Sequence, residues 1–281
     1  MKSRKIFIHS RCAPFLQKHL RKKLFPKDFN PEIGIILGSG MGQSFSGLKT
    51  IAQIPYTAIP GFIVPTTPGH PGKLLLGTLA EKKVALFLGR LHYYEGHSME
   101  KVIQTVKLAG ELGIKTLILT AAVGAINKSY KTGQLVVIKD HINSMGTNPL
   151  IGMRSLVAGD QFVDMTDCYS KRLQKIALGI ARGLRMRIAS GVYCAVSGPS
   201  YETKSEGRAY QVLGADVIGM SMVPEVIVSR FLGLEVLGLA LVTNRCAGIS
   251  KEKCSHEEVL KTGKKFQLTL AQFIEQIVFS I

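Results

Sequence analysis

The sequence contains no tryptophan, and aromatic residues make up only 7% of its 281 residues. Glycine, in contrast, is abundant, with 29 residues, which suits a compact α/β protein with many tight turns between strands and helices. No proline-, glycine- and serine-rich linker, composition shift, internal repeat or low-complexity tract divides the chain. A chain of this length can bury a sizeable core, so we expect one α/β domain.

Cysteines are few, and long apolar runs are missing. The five cysteines form no C-x-x-C pair and are odd in number. This argues against a disulfide framework or a zinc site and for reduced thiols in the cytoplasm. The most apolar stretch, Phe231 to Val242, is interrupted by Glu235 and is far shorter than the ~20 residues that a membrane span needs. We therefore expect a cytoplasmic protein with no membrane partner.

Acidic residues are scarce: 19 of them face 36 lysines and arginines, which gives a net charge of +17. Residues 1–30 hold nine of the basic groups and a single acidic one, Asp28. We interpret residues 1–30 as a basic N-terminal arm with a short amphipathic helix, Pro14 to Leu24, preceding the main domain at 31–281. The acid-poor beginning also has features of a transit peptide. Basic clusters attract anionic substrates or nucleic acid, but no RNA-binding signature occurs, so nucleic acid is disfavoured as a partner.

The stretch from Val196 to Arg230 combines a strand end, a turn, a helix, a second short strand and the beginning of another helix. Tyr201 and Glu202 stand side by side where the first strand ends, and ligands bind at such strand ends in open α/β sheets. Ser221 precedes a proline–glutamate pair, which marks a helix start with free backbone N–H groups. The stretch can thus hold a flat polar ring and an anion. On residue types alone, the simpler explanation is favoured, in which Glu202 caps a turn and Ser221 caps a helix.

Polar groups follow other predicted strands as well. Gly34–Leu37 runs into GSGMG, where Ser39 and backbone N–H groups can approach a phosphate. This loop lacks the ending of a P-loop and the spacing of GxGxxG, and no acidic residue between Ile33 and Ala80 can hold a ribose, so a dinucleotide site is disfavoured. The strand Val84–Leu88 ends in GRLHYYEGH, where Arg90 supplies a planar fork of donors suited to an oxyanion.

The strings GPSYET and GADVIGMSMVPEVIVSR resemble the signature of the homotrimeric, 6-oxopurine-specific purine nucleoside phosphorylases. PGH and R-x-H-x-Y-E-G add to this resemblance, which covers the chain from about Ile33 to its C-terminus. It implies a single-domain α/β fold with a mixed, partly closed β-sheet flanked by helices, in a homotrimer. It also implies phosphorolysis of purine ribonucleosides and 2′-deoxyribonucleosides, chiefly inosine and guanosine, with inorganic phosphate as co-substrate and no cofactor.

The resemblance implies roles for individual residues. The implied phosphate-binding groups are Ser39, His70, Arg90, His92, the backbone N–H of Ala122, and Ser221. The implied nucleoside-binding groups are Tyr94, Tyr201, Glu202, Met220, Thr243, Asn244 and His256. His92, Glu202 and Asn244 are the implied catalytic residues, and Glu95 orients a histidine from behind. Phosphate then both stabilises and attacks the cationic sugar carbon, while the amide and the carboxylate hold the leaving purine.

Some positions depart from the family pattern, and other functions remain open. Ala121 replaces an asparagine, Ala125 replaces a second glycine, and Ala158 replaces a phenylalanine that reaches into the neighbouring subunit. Phe162, four residues on, is the alternative for that contact. A methylthioadenosine phosphorylase is associated with aspartate at the position of Asn244, and a nucleoside hydrolase needs no phosphate cluster. A catalytically silent basic relative that binds nucleic acid predicts salt-sensitive binding without turnover.

Overall fold

The structure is a computed structural model that describes residues 24–41, 45–153, 162–249 and 255–281. The predictions for residues 1–23 of the basic arm and for Ala158 lie outside the described residues. Among the helices within these ranges, none combines the length and the apolar character that crossing a membrane requires.

One mixed sheet of nine strands runs through the described part of the chain. The strands are β1 Ile33–Leu37, β2 Lys49–Pro55, β3 Lys73–Leu79, β4 Lys82–Leu88, β5 Thr116–Ala125, β6 Leu135–Ser144, β7 Ile188–Val196, β8 Val217–Gly219 and β9 Glu235–Arg245. Their order is β2-β3-β4-β1-β5-β8-β7-β6-β9, and β9 also pairs with β5. Strands β5 to β9 therefore close into a ring, while β1 to β4 extend from it as an open arm. The predicted partly closed mixed sheet is confirmed.

Several strands continue beyond the apolar runs that predict them. The run Leu117–Thr120 predicts only the first half of β5, which continues to Ala125 because its second half pairs with both β8 and β9. The run Val136–Lys139 similarly predicts only the beginning of β6, whose polar end continues to Ser144 alongside β7. Pairing with neighbours, more than apolar sequence, sets the length of these strands.

Helices pack against the sheet. They are α1 Met99–Val102, α2 Gln104–Glu111, α3 Lys171–Gly183, α4 Lys204–Val212, α5 Val223–Phe231 and α6 His256–Ser280. The apolar spacing from Met99 to Leu112 predicts a single helix, but the structure divides it because Ile103 has φ −89° and ψ 10°, outside the α-helical region. Ser98 precedes it without making a side-chain capping bond. The spacing of Ser255 and Glu258 predicts a capping box, and Ser255 does cap α6, since its hydroxyl accepts the Glu258 N–H at 3.2 Å.

The central strands are buried on both faces. In β1, Ile36 packs into an apolar cluster with α2 and α5, while Ile35 packs into a second cluster with α3 and α6. Fully burying one such side chain contributes roughly 1.5–3 kcal/mol. Strands covered in this way read as continuous apolar runs, so their polar groups are confined to the ends of the strands. Those ends position the candidate site.

Candidate active site

A cavity lies where β1, β4 and β9 end, beside the second half of β5 and the segment after β8. The predicted site residues that line it are Ser39, His92, Tyr94, Ala122, Tyr201, Glu202, Met220, Ser221, Thr243, Asn244 and His256. The other three lie behind this wall: His70 contacts Ser39, Glu95 contacts His92, and Arg90 lines a smaller adjoining cavity. The structure thus gathers groups that are scattered along the sequence.

Ser39, in the turn after β1, is backed by a buried histidine. Its Oγ lies 2.9 Å from His70 Nε2, while the Arg90 backbone N–H donates to His70 Nδ1 at 3.2 Å. Burial, and after it the nearby His92 and Arg90, hold the pKa of His70 well below its ordinary value, so the ring is neutral. Its one proton must then sit on Nε2 and be donated to Ser39 Oγ. The hydroxyl hydrogen of Ser39 is therefore free to be donated to an anion in the cavity. His70 does not line the cavity and contacts Ser39 from behind.

His92 is held in the opposite tautomer. The Glu95 carboxylate accepts the His92 backbone N–H at 2.7 Å and lies 3.3 Å from Nδ1. Burial alone would raise the pKa of Glu95, but hydrogen bonds from His92 and Thr66 outweigh it and hold this pKa far below its usual value. An ionised carboxylate only accepts, so the proton of His92 is on Nδ1. Burial also lowers the pKa of His92 despite Glu95, so Nε2 of the neutral ring is an acceptor.

Arg90 is 1% exposed, and Glu225 is a buried partner that the sequence did not reveal. Arg90 Nη2 donates to the Ile36 carbonyl at 3.1 Å, and Nη1 lies 3.2 Å from Glu225 Oε2. Burial raises the pKa of Glu225 and the Arg90 guanidinium opposes that rise. Within the described residues, Arg90 Nε makes no hydrogen bond, and the contact of Nη1 with Glu225 is an ion pair that does not count as a hydrogen bond. The guanidinium is thus held in place and still has N–H groups available to donate to a ligand. It lies beside a small cavity that is also lined by His92 and Ser221.

Ser221 is positioned by a strained turn. Helix α5, predicted to open on Ser221, begins at Val223 instead, with Met222 as its cap. Met222 has φ 63° and ψ −53°, and the Val223 N–H donates to the Ser221 carbonyl at 2.7 Å. This is a γ-turn with a positive central φ, a rare and strained conformation that costs on the order of 1–3 kcal/mol. Complete burial of the Met222 side chain holds the turn, which leaves Ser221 on the cavity wall ahead of the helix.

A carboxylate and an amide lie at the other end of the cavity. Glu202 Oε1 accepts the Ala247 backbone N–H at 2.8 Å. The Thr243 hydroxyl donates to Asn244 Oδ1 at 2.9 Å, and Asn244 Nδ2 donates to the Arg245 carbonyl at 3.3 Å. This orientation keeps the amide NH₂ on the side opposite Thr243. The wall therefore offers both an acceptor and an amide to a heterocyclic base.

Several supporting residues have no recognisable signal in the sequence. Glu225 has the pattern of a glutamate in the first turn of a helix. Tyr193 stands inside the apolar run of β7, yet the Tyr193 hydroxyl accepts the Ser221 N–H at 3.3 Å. Of the family departures, Ala121 lines the cavity, whereas Ala125 is fully buried in β5 and away from it. In the described ranges, no three histidine, cysteine, aspartate or glutamate side chains form a group that could hold a metal ion.

The chain belongs to the phosphorylase superfamily, whose family model matches residues 32–278. Two similar relatives are named purine nucleoside phosphorylases. Purine nucleoside phosphorylase 1 of Geobacillus stearothermophilus is 44% identical over 257 residues, which cover 92% of this chain and 93% of the relative. Purine nucleoside phosphorylase of Mus musculus is 37% identical over 261 residues, or 90% of each chain.

Solved structures have the same fold. The structure of Schistosoma mansoni purine nucleoside phosphorylase in complex with adenosine superposes with a TM-score of 0.87 at 37% identity, over 94% of this chain and 95% of that one. The structure of the Schistosoma mansoni enzyme in complex with inosine superposes with a TM-score of 0.86 at 36% identity, over 94% of each chain. The single-domain α/β architecture is therefore that of purine nucleoside phosphorylases.

Proposed function

We propose that this protein catalyses phosphorolysis of purine nucleosides to the free base and pentose 1-phosphate, with a preference for 6-oxopurines such as inosine and guanosine. One observation carries the proposal: a single cavity has oriented anion donors at one end and a carboxylate–amide pair at the other. The two relatives described above are both named purine nucleoside phosphorylases, which supports the activity.

Phosphate binds between Ser39 and Ser221, with the Ala122 backbone N–H as a third donor and Arg90 behind them. These groups are fixed before phosphate arrives, so little reorganisation opposes the reaction. As the glycosidic bond lengthens, the sugar carbon becomes cationic, and the phosphate anion stabilises that charge and attacks the carbon. His92, held as an acceptor by Glu95, takes a hydrogen bond from a protonated phosphate oxygen or from a sugar hydroxyl.

The purine leaves toward Glu202 and Asn244. Negative charge flows into the base as the bond breaks; Asn244 donates to the five-membered-ring nitrogen or the 6-oxo group, and Glu202 accepts from the ring N–H. Tyr201 stacks on the base. An adenine would instead place a bare ring nitrogen against Glu202 and leave the carboxylate without its donor, which costs roughly 1–3 kcal/mol. This is the basis of the proposed 6-oxopurine preference.

The sugar lies between these two ends. Tyr94 and Met220 line the middle of the cavity, and the Tyr94 ring stacks on His92 with centroids 4.8 Å apart. His256, the first residue of α6, lines the same cavity and has a buried Nε2 without a hydrogen-bond partner among the described residues. We assign this nitrogen to the 5′-hydroxyl of the sugar. Thr243 acts through Asn244 rather than on the nucleoside directly.

We further propose that residues 31–281 form the catalytic domain, that the protein is a cytoplasmic homotrimer, and that phosphate is the only co-substrate. Large apolar side chains exposed beside the segment 154–161 support an assembly: Ile151 is 77% exposed and Phe162 is 85% exposed. Phe162 is our candidate for the contact that Ala158 cannot supply. Light scattering of the purified protein tests the trimer.

The activity is tested by incubating the protein with inosine, guanosine and adenosine, each with and without phosphate. Base release that requires phosphate is expected, fastest for the two 6-oxopurines. Release without phosphate would indicate a hydrolase, and no release would indicate a silent relative. Ser39→Ala should raise the KM for phosphate, whereas the matched Ser98→Ala, at an exposed serine that makes no capping bond, should not.

A further inference from the structure

Tyr193 lies beneath the anion end of the cavity and belongs to none of the predicted site groups. It is fully buried in β7, and its hydroxyl oxygen is 3.3 Å from the Ser221 backbone nitrogen and 3.5 Å from Ser221 Oγ. Gly219 makes this approach feasible, because a Cβ at that position would lie only 2.2 Å from the Tyr193 hydroxyl. The contact is therefore built into two strands, β7 and β8, that pair at this point.

The hydrogen-bond partners of the Tyr193 hydroxyl determine which atom donates in each bond. Burial, only partly offset by hydrogen bonds with Ser221, raises the pKa of Tyr193 to about 12, so the phenol is protonated at neutral pH. Its oxygen already accepts the Ser221 N–H, and its own hydrogen is left to donate. Ser221 Oγ, 3.5 Å away, is positioned to accept it. When Ser221 Oγ accepts the hydrogen of Tyr193, the hydroxyl hydrogen of Ser221 remains free to be donated to a ligand in the cavity.

We propose that Tyr193 is a positioning residue that presets the Ser221 hydroxyl as a donor to phosphate. The inference rests on the proposed phosphorolysis and deepens it. Ser39 provides an independent parallel, since it accepts from a buried ring proton of His70 at 2.9 Å. Both serines at the anion end are thus oriented by a buried aromatic ring. Neither ring lines the cavity, so both act only through their serine.

The test is Tyr193→Phe, which removes the hydroxyl and keeps the ring. The KM for phosphate should rise about 3- to 10-fold, as expected for one neutral hydrogen bond, while the KM for inosine stays within about 2-fold. The matched control is Tyr130→Phe, whose hydroxyl donates to the Ser190 carbonyl at 2.9 Å near the other end of β7. That variant should leave both constants unchanged. Melting temperatures of both variants show that the fold is kept.

A double-mutant cycle then separates positioning from a general structural role. In a Ser221→Ala background, Tyr193→Phe should raise the KM for phosphate much less than in wild type, because the serine hydroxyl is gone and only the contact with the backbone N–H of residue 221 remains. An equal rise in both backgrounds, or an equal rise in the constants for phosphate and inosine, would overturn the inference.

Calorimetric binding of inorganic phosphate to the same variants distinguishes this inference from the proposed function. Wild-type protein that binds phosphate without turnover would refute phosphorolysis, while the 3- to 10-fold loss of affinity in Tyr193→Phe still decides the role of Tyr193. Wild-type protein that neither binds phosphate nor turns over would overturn both.

Discussion

The two ends of the cavity are built differently. At the anion end Ser39, Arg90 and His92 are at most 9% exposed, and each is held by a second buried group. At the base end Tyr201 is 38% exposed, and Glu202 is half-buried and held by a backbone N–H. Charges act more strongly where water is excluded, but a change there also disturbs the core. We expect changes at the anion end to affect stability and turnover together, and changes at the base end to alter the choice of base alone.

Arg90→Ala should have the largest effect. It leaves Glu225 as a buried charge without its partner 3.2 Å away, so the free energy of unfolding should fall by about 3–5 kcal/mol. The KM for phosphate should rise and turnover should slow. Denaturant titration and initial rates at varied phosphate measure the two effects. A variant with unchanged phosphate dependence would contradict the assignment of Arg90.

The double variant Arg90→Met, Glu225→Leu sharpens this comparison. Replacing both charges with apolar side chains should recover much of the lost stability, because an apolar pair fills a buried site without an uncompensated charge. Phosphate-dependent turnover should stay low, since the donors are gone. Recovery of turnover along with stability would mean that Arg90 has only a structural role.

Asn244→Asp should change base choice at the exposed end while leaving stability nearly intact. An acceptor at this position suits the 6-amino group of adenosine, so the kcat/KM ratio of inosine to adenosine should fall by a factor that corresponds to about 1–3 kcal/mol. The matched Asn143→Asp, at an exposed residue outside the cavity lining, should leave the ratio unchanged. A wild-type ratio near one, or no shift in Asn244→Asp, would contradict the account.

Acidification should destabilise the anion end. The folded pKa values of His70 and His92 lie below the unfolded value of about 6.5, so below that pH the unfolded chain binds more protons and stability falls as pH falls. Each histidine contributes up to about 1.4 kcal/mol per pH unit until its folded pKa is reached. Unfolding free energies between about pH 7 and 5 should show a shallower slope in His70→Gln than in wild type. Equal slopes would contradict the buried neutral histidine.

Thr243→Val should have a smaller effect, again at the base end. It removes the hydroxyl that fixes the Asn244 amide, so the preference for inosine over adenosine should weaken by about 0.5–1.5 kcal/mol. Thr105→Val is the matched control, since Thr105 is buried and its hydroxyl has no hydrogen-bond partner among the described residues. If both variants shift the preference equally, Thr243 does not orient the amide.

Removal of the first part of the basic arm should have the least effect. Deleting residues 1–11 should leave turnover within about 2-fold of wild type, because these residues precede every predicted site group. Steady-state rates of the folded truncation measure this. Lost activity would mean that the arm completes the site or the assembly.

The sequence predicts the strands whose burial is continuous and misses what depends on pairing. Gly34–Leu37 and Val236–Val242 are apolar throughout and predict β1 and β9 well. The end of β6 is polar and is a strand only because β7 lies beside it, which no local pattern encodes.

The site follows the same rule. Residues in loops after apolar runs, such as Ser39 and His92, are visible in the sequence and do reach the cavity. The buried partners of Arg90 and Ser221 are not visible, because Glu225 and Tyr193 stand inside a helix and a strand whose patterns have simpler explanations. The roles of His70 and His92 depend on which ring nitrogen carries the proton. That depends on hydrogen bonds from Arg90 and to Glu95, which only the fold brings together.

The most direct test of the central claim, an anion end and a base end in one cavity, is phosphorus NMR of the protein incubated with inosine and inorganic phosphate. We expect the phosphate signal to be replaced by that of ribose 1-phosphate in step with the release of hypoxanthine. Release of hypoxanthine with the phosphate signal unchanged, or no reaction at all, would contradict the claim.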